Sequence, residues 1–319
     1  TVYTRYLVAI GAMLVTEKFA DVRISLLVNQ FLKAKLLGPA ASEEFVSIVN
    51  KADRRSGSVV AEALILVLAL AWSWLSFYFV SSVSNSGWEE AVVNGESSLS
   101  WAGTLAELVS NPIFLFLLFR WLWRFLVWTV LLFDISRLPL RLSAIHPDRA
   151  GGLAFLSIFP GVFGGLIFAL SCVVASSMLK TIALIDPGQL FIWLAIGGWI
   201  LLMMAVFLLP LLVFMAPLYR VRETAMLEFG KLAQLHHKAF HERWIEQCGD
   251  PGELLGSPDV SSVADLNACV QEALNMQIIP LSLGCVLQTL VAAALPFLVV
   301  VATQVPLAEI LKWFVGAIF

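Results

Sequence analysis

The stretch Phe114–Asp134, FLFLLFRWLWRFLVWTVLLFD, decides how this chain folds. A helix rises about 1.5 Å per residue, so an apolar run of this length can cross the roughly 30 Å hydrocarbon core of a bilayer. Two charged side chains, Arg120 and Arg124, stand inside the run. Membrane anchoring does not explain them, because a central arginine costs about 2.5–3.5 kcal/mol on insertion scales. The stretch therefore predicts a membrane span whose arginines have a use.

The composition of the whole chain also indicates a membrane protein. Hydrophobic residues make up 60% of the chain, charged residues make up 13%, and the mean hydropathy is +0.88. Soluble domains average roughly 45–50% apolar and about 25% charged residues. A soluble fold could not bury so much apolar surface. We therefore predict an all-α fold, a polytopic transmembrane helical bundle that forms a single membrane domain over residues 1–319.

Long apolar segments recur along the chain and predict five complete spans plus an amino-terminal span fragment. The fragment, residues 1–16, is too short to cross the bilayer. The complete spans are residues 59–83, 113–134, 153–178, 190–218 and 281–302.

Amphipathic helices are predicted between and after these spans. Residues 17–58 read as a cytoplasmic amphipathic segment, residues 218–280 as a cytoplasmic helical segment, and residues 305–319 as an outer interfacial helix. In the second of these, an apolar seam from Ala225 to Ala239 predicts that the helix of the fourth span continues to about Gln247. The partner of this seam is either a neighbouring helix or another subunit.

The basic residues predict the orientation. Segments 17–58, 135–152 and 218–280 hold seven, three and five of the 20 lysines and arginines. The loop of residues 84–111 contains glutamates but no basic residue. By the positive-inside rule the three basic segments face the cytoplasm and the acidic loop lies outside. We therefore predict a multi-pass protein whose main basic loops are cytoplasmic.

The two arginines are the main candidate site. If their span starts at Ile113, Arg120 lies about 10 Å and Arg124 about 16 Å into the hydrocarbon core. Their spacing of four places both on one helix face. Because no aspartate or glutamate occurs deep in another predicted span, we expect water, hydroxyl groups or an anion to satisfy the guanidinium groups. With Gln288 of the fifth span, they are the candidates for an anion or polar path; local thinning of the bilayer or a polar clamp between helices is the alternative.

A second candidate site lies before the third span, in the sequence HPDRAGG of residues 146–152. An aspartate there can cap a helix, and the glycines allow a ligand to approach helix-terminal amides, which attract anions. A plain helix-start turn beside interfacial arginines is the alternative. The candidates for binding a lipid phosphate are Arg137, Arg141, His146, Asp148 and Arg149.

Metal and enzyme chemistry have weaker signals. His237 and His241 are four residues apart and could present metal ligands on one helix face, but the spacing alone is weak evidence and a solvated charged helix explains them better. The chain has no HExxH motif, no CxxC pair, no phosphate-binding GxxxxGK motif and no catalytic triad order. We therefore predict no cofactor, and no constellation supports an enzyme.

Three segments together resemble a known protein family. They are HPDRAGGL at residues 146–153, LGSPDVSSVADL at residues 255–266 and AALPFLVVVATQVPLAEILKWF at residues 293–314. They look like a family of bacterial polytopic inner-membrane proteins, and the similarity covers most of the chain. The family has no established activity to carry over. The resemblance implies a bacterial inner (cytoplasmic) membrane and nothing more specific.

Three functions remain open. The first is an integral membrane channel or transporter with an anion-compatible path lined by Arg120 and Arg124. The second is a non-catalytic accessory or scaffold subunit of a larger membrane complex. The third is a membrane enzyme or metal-dependent protein. The expected partners are the lipid bilayer, anionic lipid, and either further copies of the chain or other subunits of a complex; nothing indicates nucleic acid.

Overall fold

A computed structural model describes residues 3–82, 90–93, 96–99, 106–185, 187–247 and 257–304. Most of these residues are helical, as predicted. The described strands form one short antiparallel hairpin, in which β1 (Glu90–Val93) pairs with β2 (Glu96–Leu99). The interfacial helix predicted at residues 305–319 lies outside the described residues.

The first three helices follow one another closely. They are α1 (Ile10–Lys33), α2 (Pro39–Ser56) and α3 (Val59–Ser82). A π-helical turn, Thr4–Ala9, leads into α1 without a break. The division predicted between residues 16 and 17 is therefore a change in side-chain character, because the helix itself continues through it.

The remaining longer helices follow along the described chain. They are α4 (Asn111–Ser136), α5 (Gly164–Ile185), α6 (Gln189–Leu208), α7 (Met215–His241), α8 (Pro258–Asn275), α9 (Leu283–Ala294) and α10 (Phe297–Gln304). A π-helical turn, Ala106–Ser110, precedes α4, and two short helices, Ala154–Ile158 and Phe159–Val162, precede α5. A 3₁₀ segment, Leu209–Phe214, joins α6 to α7, and a π-helical turn, Glu242–Glu246, follows α7.

Four continuous helical stretches are long and apolar enough to cross a bilayer. They are Pro39–Ser76, Leu108–Ser136, Gly164–Ile185 and Gln189–Glu246. Helices α9 and α10, of 12 and 8 residues, are each too short to cross alone and pass the same test only as a pair, which bends by 58° at the break that contains Pro296. The described chain thus has four candidate spans, or five if the bent pair is one span, which is consistent with a multi-pass membrane protein.

Two predicted spans differ from the observed helices. The main helix of the span predicted at 153–178 begins at Gly164, because Pro160 and the short helices before it interrupt the earlier part. The helix of the span predicted at 190–218 belongs to a continuous stretch of 58 residues that ends at Glu246. The prediction that this helix continues to about Gln247 is confirmed.

Aromatic side chains fill the centre of the bundle. The ring centroid of Phe125 on α4 lies 4.9 Å from that of Phe207 on α6 and 5.2 Å from that of Phe163. Phe163 and Phe207 are almost completely buried. Tilted and edge-to-face ring pairs are favourable at these distances. The cluster therefore fixes α4 against α6 and against the start of α5.

Only two of the span glycines lie at close helix contacts. A Cβ atom at Gly161 would lie 2.6 Å from Oε1 of Gln288 on α9, and one at Gly165 would overlap Thr16 on α1. A Cβ atom at Gly164 would meet nothing within 4 Å. The two close contacts fix α9 and α1 against this part of the bundle.

Candidate functional site

Arg120 and Arg124 are both paired with carboxylates. Nη2 of Arg120 lies 2.8 Å from Oε1 of Glu17, and its Nε lies 3.8 Å from Oε1 of Glu62. Nη1 of Arg124 lies 3.3 Å from the same Glu17 oxygen, and its Nη2 pairs with Asp21. The expectation that the arginines have no acidic partner is therefore wrong.

The pairing arises from matching helical spacing. Glu17 and Asp21 are four residues apart on α1, as Arg120 and Arg124 are on α4. The contacts join 17 to 120 and 21 to 124, so the two helices run in parallel and their charged faces are in register. The shared spacing is the one sequence signal for this site. This signal does not by itself predict the pairing, because residues 17–58 are predicted to form a separate amphipathic segment away from the arginine span.

These charges form a layer near one end of the apolar part of the bundle. Helix α3 extends about 30 Å from Glu62 to Ser82. Helix α5 extends a similar distance, about 30 Å, from Gly165 to Ile185. Because this length matches the roughly 30 Å core of a bilayer, we call this part of the bundle the apolar slab. The charged layer at its edge consists of Glu17, Asp21, Glu62, Arg120 and Arg124.

The position of the layer corrects the expected depth of the arginines. Arg120 is level with Glu62, close to the first residue of α3. Helix α4 continues beyond this level to Ser136, outside the slab. Measured along α3, Arg124 therefore lies at the edge of the apolar slab, where an arginine costs less than at the middle, although the apolar stretch Leu108–Ser136 of its own helix extends to both sides of it.

The surroundings of Arg124 are polar and only partly accessible. Its side chain is 11% exposed, against 34% for Arg120. The guanidinium carbon lies 5.4 Å from the ring centroid of Trp121, and Nε has no hydrogen-bond acceptor among the described residues. A cavity of about 430 Å³ reaches this side chain and is also lined by Asp21 and Asp53. Water can enter such a cavity and complete the hydrogen bonds.

The charged layer has no excess of positive charge. It contains three carboxylates and two guanidinium groups, and the cavity beside it adds the carboxylate of Asp53. An anion needs unpaired donors in an electropositive setting. These residues provide instead a set of ion pairs that connects α1, α3 and α4.

In the turn of residues 146–152, the carboxylate of Asp148 itself binds the backbone amides that a bound anion would use. Its Oδ1 accepts hydrogen bonds from the N–H groups of Ala150 at 2.9 Å and Gly152 at 3.0 Å, and its Oδ2 accepts one from Ala154 at 3.0 Å. Nδ1 of His146 lies 2.8 Å from Oδ1. Burial alone raises the pKa of Asp148, but these hydrogen bonds outweigh it and hold the pKa below the ordinary 3.8. The amides that could bind a phosphate are therefore occupied.

The same turn joins three parts of the fold. Gly152 has a φ of +96°, and a Cβ atom there would lie 2.8 Å from Leu36, just after α1. The carbonyl oxygen of Arg149 accepts a hydrogen bond of 2.7 Å from the N–H of Gln277, and its Nε lies 3.6 Å from Oε2 of Glu272. The turn thus connects the end of α1 with α8 and the segment before α9, which agrees with the plain helix-start interpretation.

The other two interfacial arginines lie elsewhere. The guanidinium of Arg137 stacks on Phe133, 4.0 Å from its ring centroid. That of Arg141 lies beside Gly38, where a Cβ atom would be 3.3 Å from its Nη2. Among the described residues, neither arginine contacts Asp148 through a hydrogen bond or ion pair. The five candidates for a lipid phosphate do not converge on one point.

Gln288 lies in a different cavity from the arginines. It lines a cavity of about 660 Å³ together with Arg23 and Lys33 of α1. Neither Arg120 nor Arg124 lines this cavity. The structure therefore divides the predicted polar path between two separate cavities.

The histidines on α7 make only ordinary contacts. Nε2 of His241 lies 3.7 Å from Oε1 of Glu246, and Nε2 of His236 lies 2.9 Å from the hydroxyl of Ser262 on α8. In the parts of the chain that the structure describes, no group of three His, Cys, Asp or Glu side chains could hold a metal ion. The cysteine at position 248, which follows these histidines in the sequence, lies outside the described residues.

Helices α7 and α8 pack together as a hairpin, which we call the arm. Near its tip, Nε1 of Trp244 donates a hydrogen bond of 3.0 Å to Oδ2 of Asp259, and Nη1 of Arg243 lies 3.0 Å from the same oxygen. Near its base, Nη2 of Arg222 donates to the carbonyl oxygen of Leu274 at 2.8 Å. Helix α8 of the same chain therefore packs against α7, but it covers only part of the seam, in which Ala225 is buried and Leu232 is 51% exposed.

Comparison of the chain with protein-family models, curated proteins and solved structures finds no match.

Proposed function

We propose that this chain is a non-catalytic accessory or scaffold subunit of a larger complex in the bacterial inner membrane. Helix α4 is the contact helix for a partner subunit or a second copy. The arm is a rigid extension of the subunit on the cytoplasmic side.

An exposed apolar stripe on α4 carries this proposal. Leu122, Leu126, Val130 and Phe133 recur at spacings of four, four and three, so they share one helix face. They are 37%, 54%, 41% and 42% exposed. The stripe runs from the charged layer away from the apolar slab, and Phe133 lies about 20 Å beyond Arg120 along the helix. A continuous apolar row outside the slab is typical of a protein interface.

The ion pairs of the charged layer support a structural role for the arginines. Each arginine contacts a carboxylate of α1, and Arg120 also reaches Glu62 of α3. Removing one partner of a partly buried ion pair leaves the other charge less well compensated, at a cost that solvent screening reduces. The pairs thus hold three helices together and present the outer face of α4 in a fixed orientation.

The distribution of basic residues supports the orientation. The arm belongs to the segment of residues 218–280, which holds five lysines and arginines. By the positive-inside rule it extends into the cytoplasm. In this arrangement α3, α5, α6 and the bent pair of α9 and α10 cross the bilayer, while α1 and α4 enter it with the apolar segments that precede the charged layer.

Site-specific crosslinking in native membranes tests the proposal. A photoactivatable maleimide is attached to Leu126→Cys or Val130→Cys in a background without the native cysteines. The matched control is Leu68→Cys on α3, which is 59% exposed but lies within the apolar slab. We expect adducts heavier than the 35.0 kDa chain from positions 126 and 130 but not from position 68. Mass spectrometry of the adducts distinguishes a second copy from another subunit, and lipid adducts alone at all three positions would contradict the proposal.

A transport path is the second candidate, and the cavity beside Arg124 favours it. Because Asp21 and Asp53 line that cavity, such a path suits water or a cation better than an anion. Proteoliposomes that report potassium, proton and chloride flux provide the test. Flux that Asp53→Asn reduces, while the exposed-carboxylate control Glu44→Gln leaves it unchanged, would favour transport; no flux from folded protein would count against it.

A further inference from the structure

A cavity of about 770 Å³ lies where α2 ends and α3 begins. Gly57 and Ser58 form the connection between the two helices, and Trp123 of α4 closes one side of the cavity. The indole Nε1 of Trp123 donates a hydrogen bond of 3.1 Å to the carbonyl oxygen of Arg55. Trp123 lies between the two arginines of the charged layer in the sequence, so the cavity opens at the edge of the apolar slab.

Three basic side chains line this cavity. They are Lys51, Arg54 and Arg55. None of the three forms an ion pair with any residue that the structure describes. Glu43 is the one acidic residue in the lining. The cavity therefore has an excess of two positive charges, in contrast to the charged layer next to it. Unpaired arginines are well suited to bind phosphate oxygens.

Uncharged donors add to this basic cluster. The side chains of Ser47, Asn50 and Ser58 line the cavity, and so do Val60 and Ala61 in the first turn of α3. Within that turn the N–H of Ala61 already donates a hydrogen bond of 3.4 Å to Oγ of Ser58, so this end offers an anion mainly the positive pole of the helix dipole. The end of this helix of 24 residues thus adds to the attraction for an anion.

An apolar track leads from the cavity along α3. Val60 and Leu64 line the cavity, and Leu68 and Trp72 continue the same face at a spacing of four. These four side chains are 70%, 59%, 59% and 59% exposed. The track extends from the basic cluster into the apolar slab, over about 18 Å of helix. A free phosphate would use the basic cluster but not the track.

We infer that this cavity is a binding site for an anionic phospholipid. Lys51, Arg54 and Arg55 bind the phosphate and headgroup at the edge of the bilayer, and one acyl chain lies along Val60 and Leu64. The site does not depend on the proposed subunit function, because it needs only α3 to lie in the bilayer. It also differs from the turn around Asp148, where the chain's own carboxylate occupies the amides.

Lipid binding to the purified full-length chain tests this inference. Native mass spectrometry from detergent micelles measures the binding of phosphatidylglycerol and phosphatidylcholine to the wild type and to Lys51→Gln/Arg54→Gln. The control, Arg220→Gln/Lys231→Gln on α7, removes the same charge away from the cavity. Each basic residue near an anionic headgroup contributes a factor of about five. We therefore expect the cavity variant to bind phosphatidylglycerol about 30-fold more weakly, and the control to bind it like the wild type.

A second variant separates a specific site from a general effect of charge. Val60→Trp leaves all charges in place but fills the cavity entrance, and the exposed position tolerates the larger side chain. We expect it to weaken phosphatidylglycerol binding as well. Equal binding of the two lipids, or equal losses in the α7 control, would overturn the inference. Inorganic phosphate that competes fully with the lipid at millimolar concentration would identify a free-anion site instead and would also overturn it.

Discussion

Nη2 of Arg120 lies 2.8 Å from Oε1 of Glu17, which joins α4 to α1 across most of the first half of the chain. The same Glu17 oxygen lies 3.3 Å from Nη1 of Arg124. One carboxylate therefore contacts both guanidinium groups at the edge of the apolar slab, and Glu62 and Asp21 each add a further negative charge beside one of them. This shared contact explains how a strongly apolar helix can carry both arginines.

Glu17→Gln should destabilise the chain. The substitution removes the carboxylate that both Arg120 and Arg124 contact, and hydrogen bonds to charged groups contribute about 1.5–3 kcal/mol each. The side chains are partly exposed, so we expect a loss near the lower end, about 1–2 kcal/mol. Thermal unfolding in detergent measures it. Glu44→Gln, an exposed carboxylate on α2, is the control, and equal midpoints for the two variants would contradict the prediction.

Gly165→Ala should destabilise the contact between α5 and α1. Its added Cβ atom would overlap the hydroxyl of Thr16, whereas the Cβ atom of Gly164→Ala would meet nothing within 4 Å. Overpacking of this kind costs about 1–3 kcal/mol, while alanine in an open helical position is neutral or stabilising. The two variants differ by one position, so their unfolding midpoints can be compared directly. Equal midpoints would show that α1 does not pack as closely as described.

Asp148→Asn should destabilise the chain at neutral pH and lose this effect in acid. An asparagine has one acceptor oxygen, so it cannot satisfy the amides of Ala150, Gly152 and Ala154 as the carboxylate does. Leaving an amide unsatisfied costs about 1–3 kcal/mol.

The pH dependence of this effect follows from the lowered pKa of Asp148. Because the folded pKa lies below the ordinary 3.8, the ionised carboxylate stabilises the fold above that value, and the stabilisation is lost as the pH falls through the folded pKa. Unfolding midpoints of both proteins between pH 7 and pH 3 measure the difference. A gap between wild type and variant that stays constant over the whole range would contradict this assignment.

Asp259→Asn should loosen the tip of the arm without affecting the bundle. The aspartate contacts both Arg243 and Trp244, and it lies in the first turn of α8. Hydrogen exchange should become faster at the start of α8, by about fivefold to tenfold for a loss of about 1–1.4 kcal/mol. Exchange in α4 should stay unchanged. Asp265→Asn, on the same helix, is the control, and faster exchange in both variants would point to a general loss of helix stability.

Part of this architecture follows from the sequence, and part of it depends on contacts between distant segments. The helix that continues to Glu246 is predictable because the apolar seam of α7 is a local pattern. The start of α5 at Gly164 is not, because the apolar run of residues 153–178 is continuous and a proline within it is compatible with one kinked span. The role of Asp148 as a cap is visible in the sequence, but the three amides that it binds depend on how the turn folds.

The sequence by itself determined the helical membrane class of the chain, because that much apolar surface requires long helices in lipid. It also determined the spacing of four within each charged pair. Only the tertiary structure decided that Glu17 and Asp21 meet Arg120 and Arg124. Hydropathy places a charged segment at the membrane surface both when it lies flat there and when it continues a spanning helix, so it does not distinguish the two. Only the packing of α1 against α5 at Gly165 brings Glu17 and Asp21 to the level of the arginines on α4.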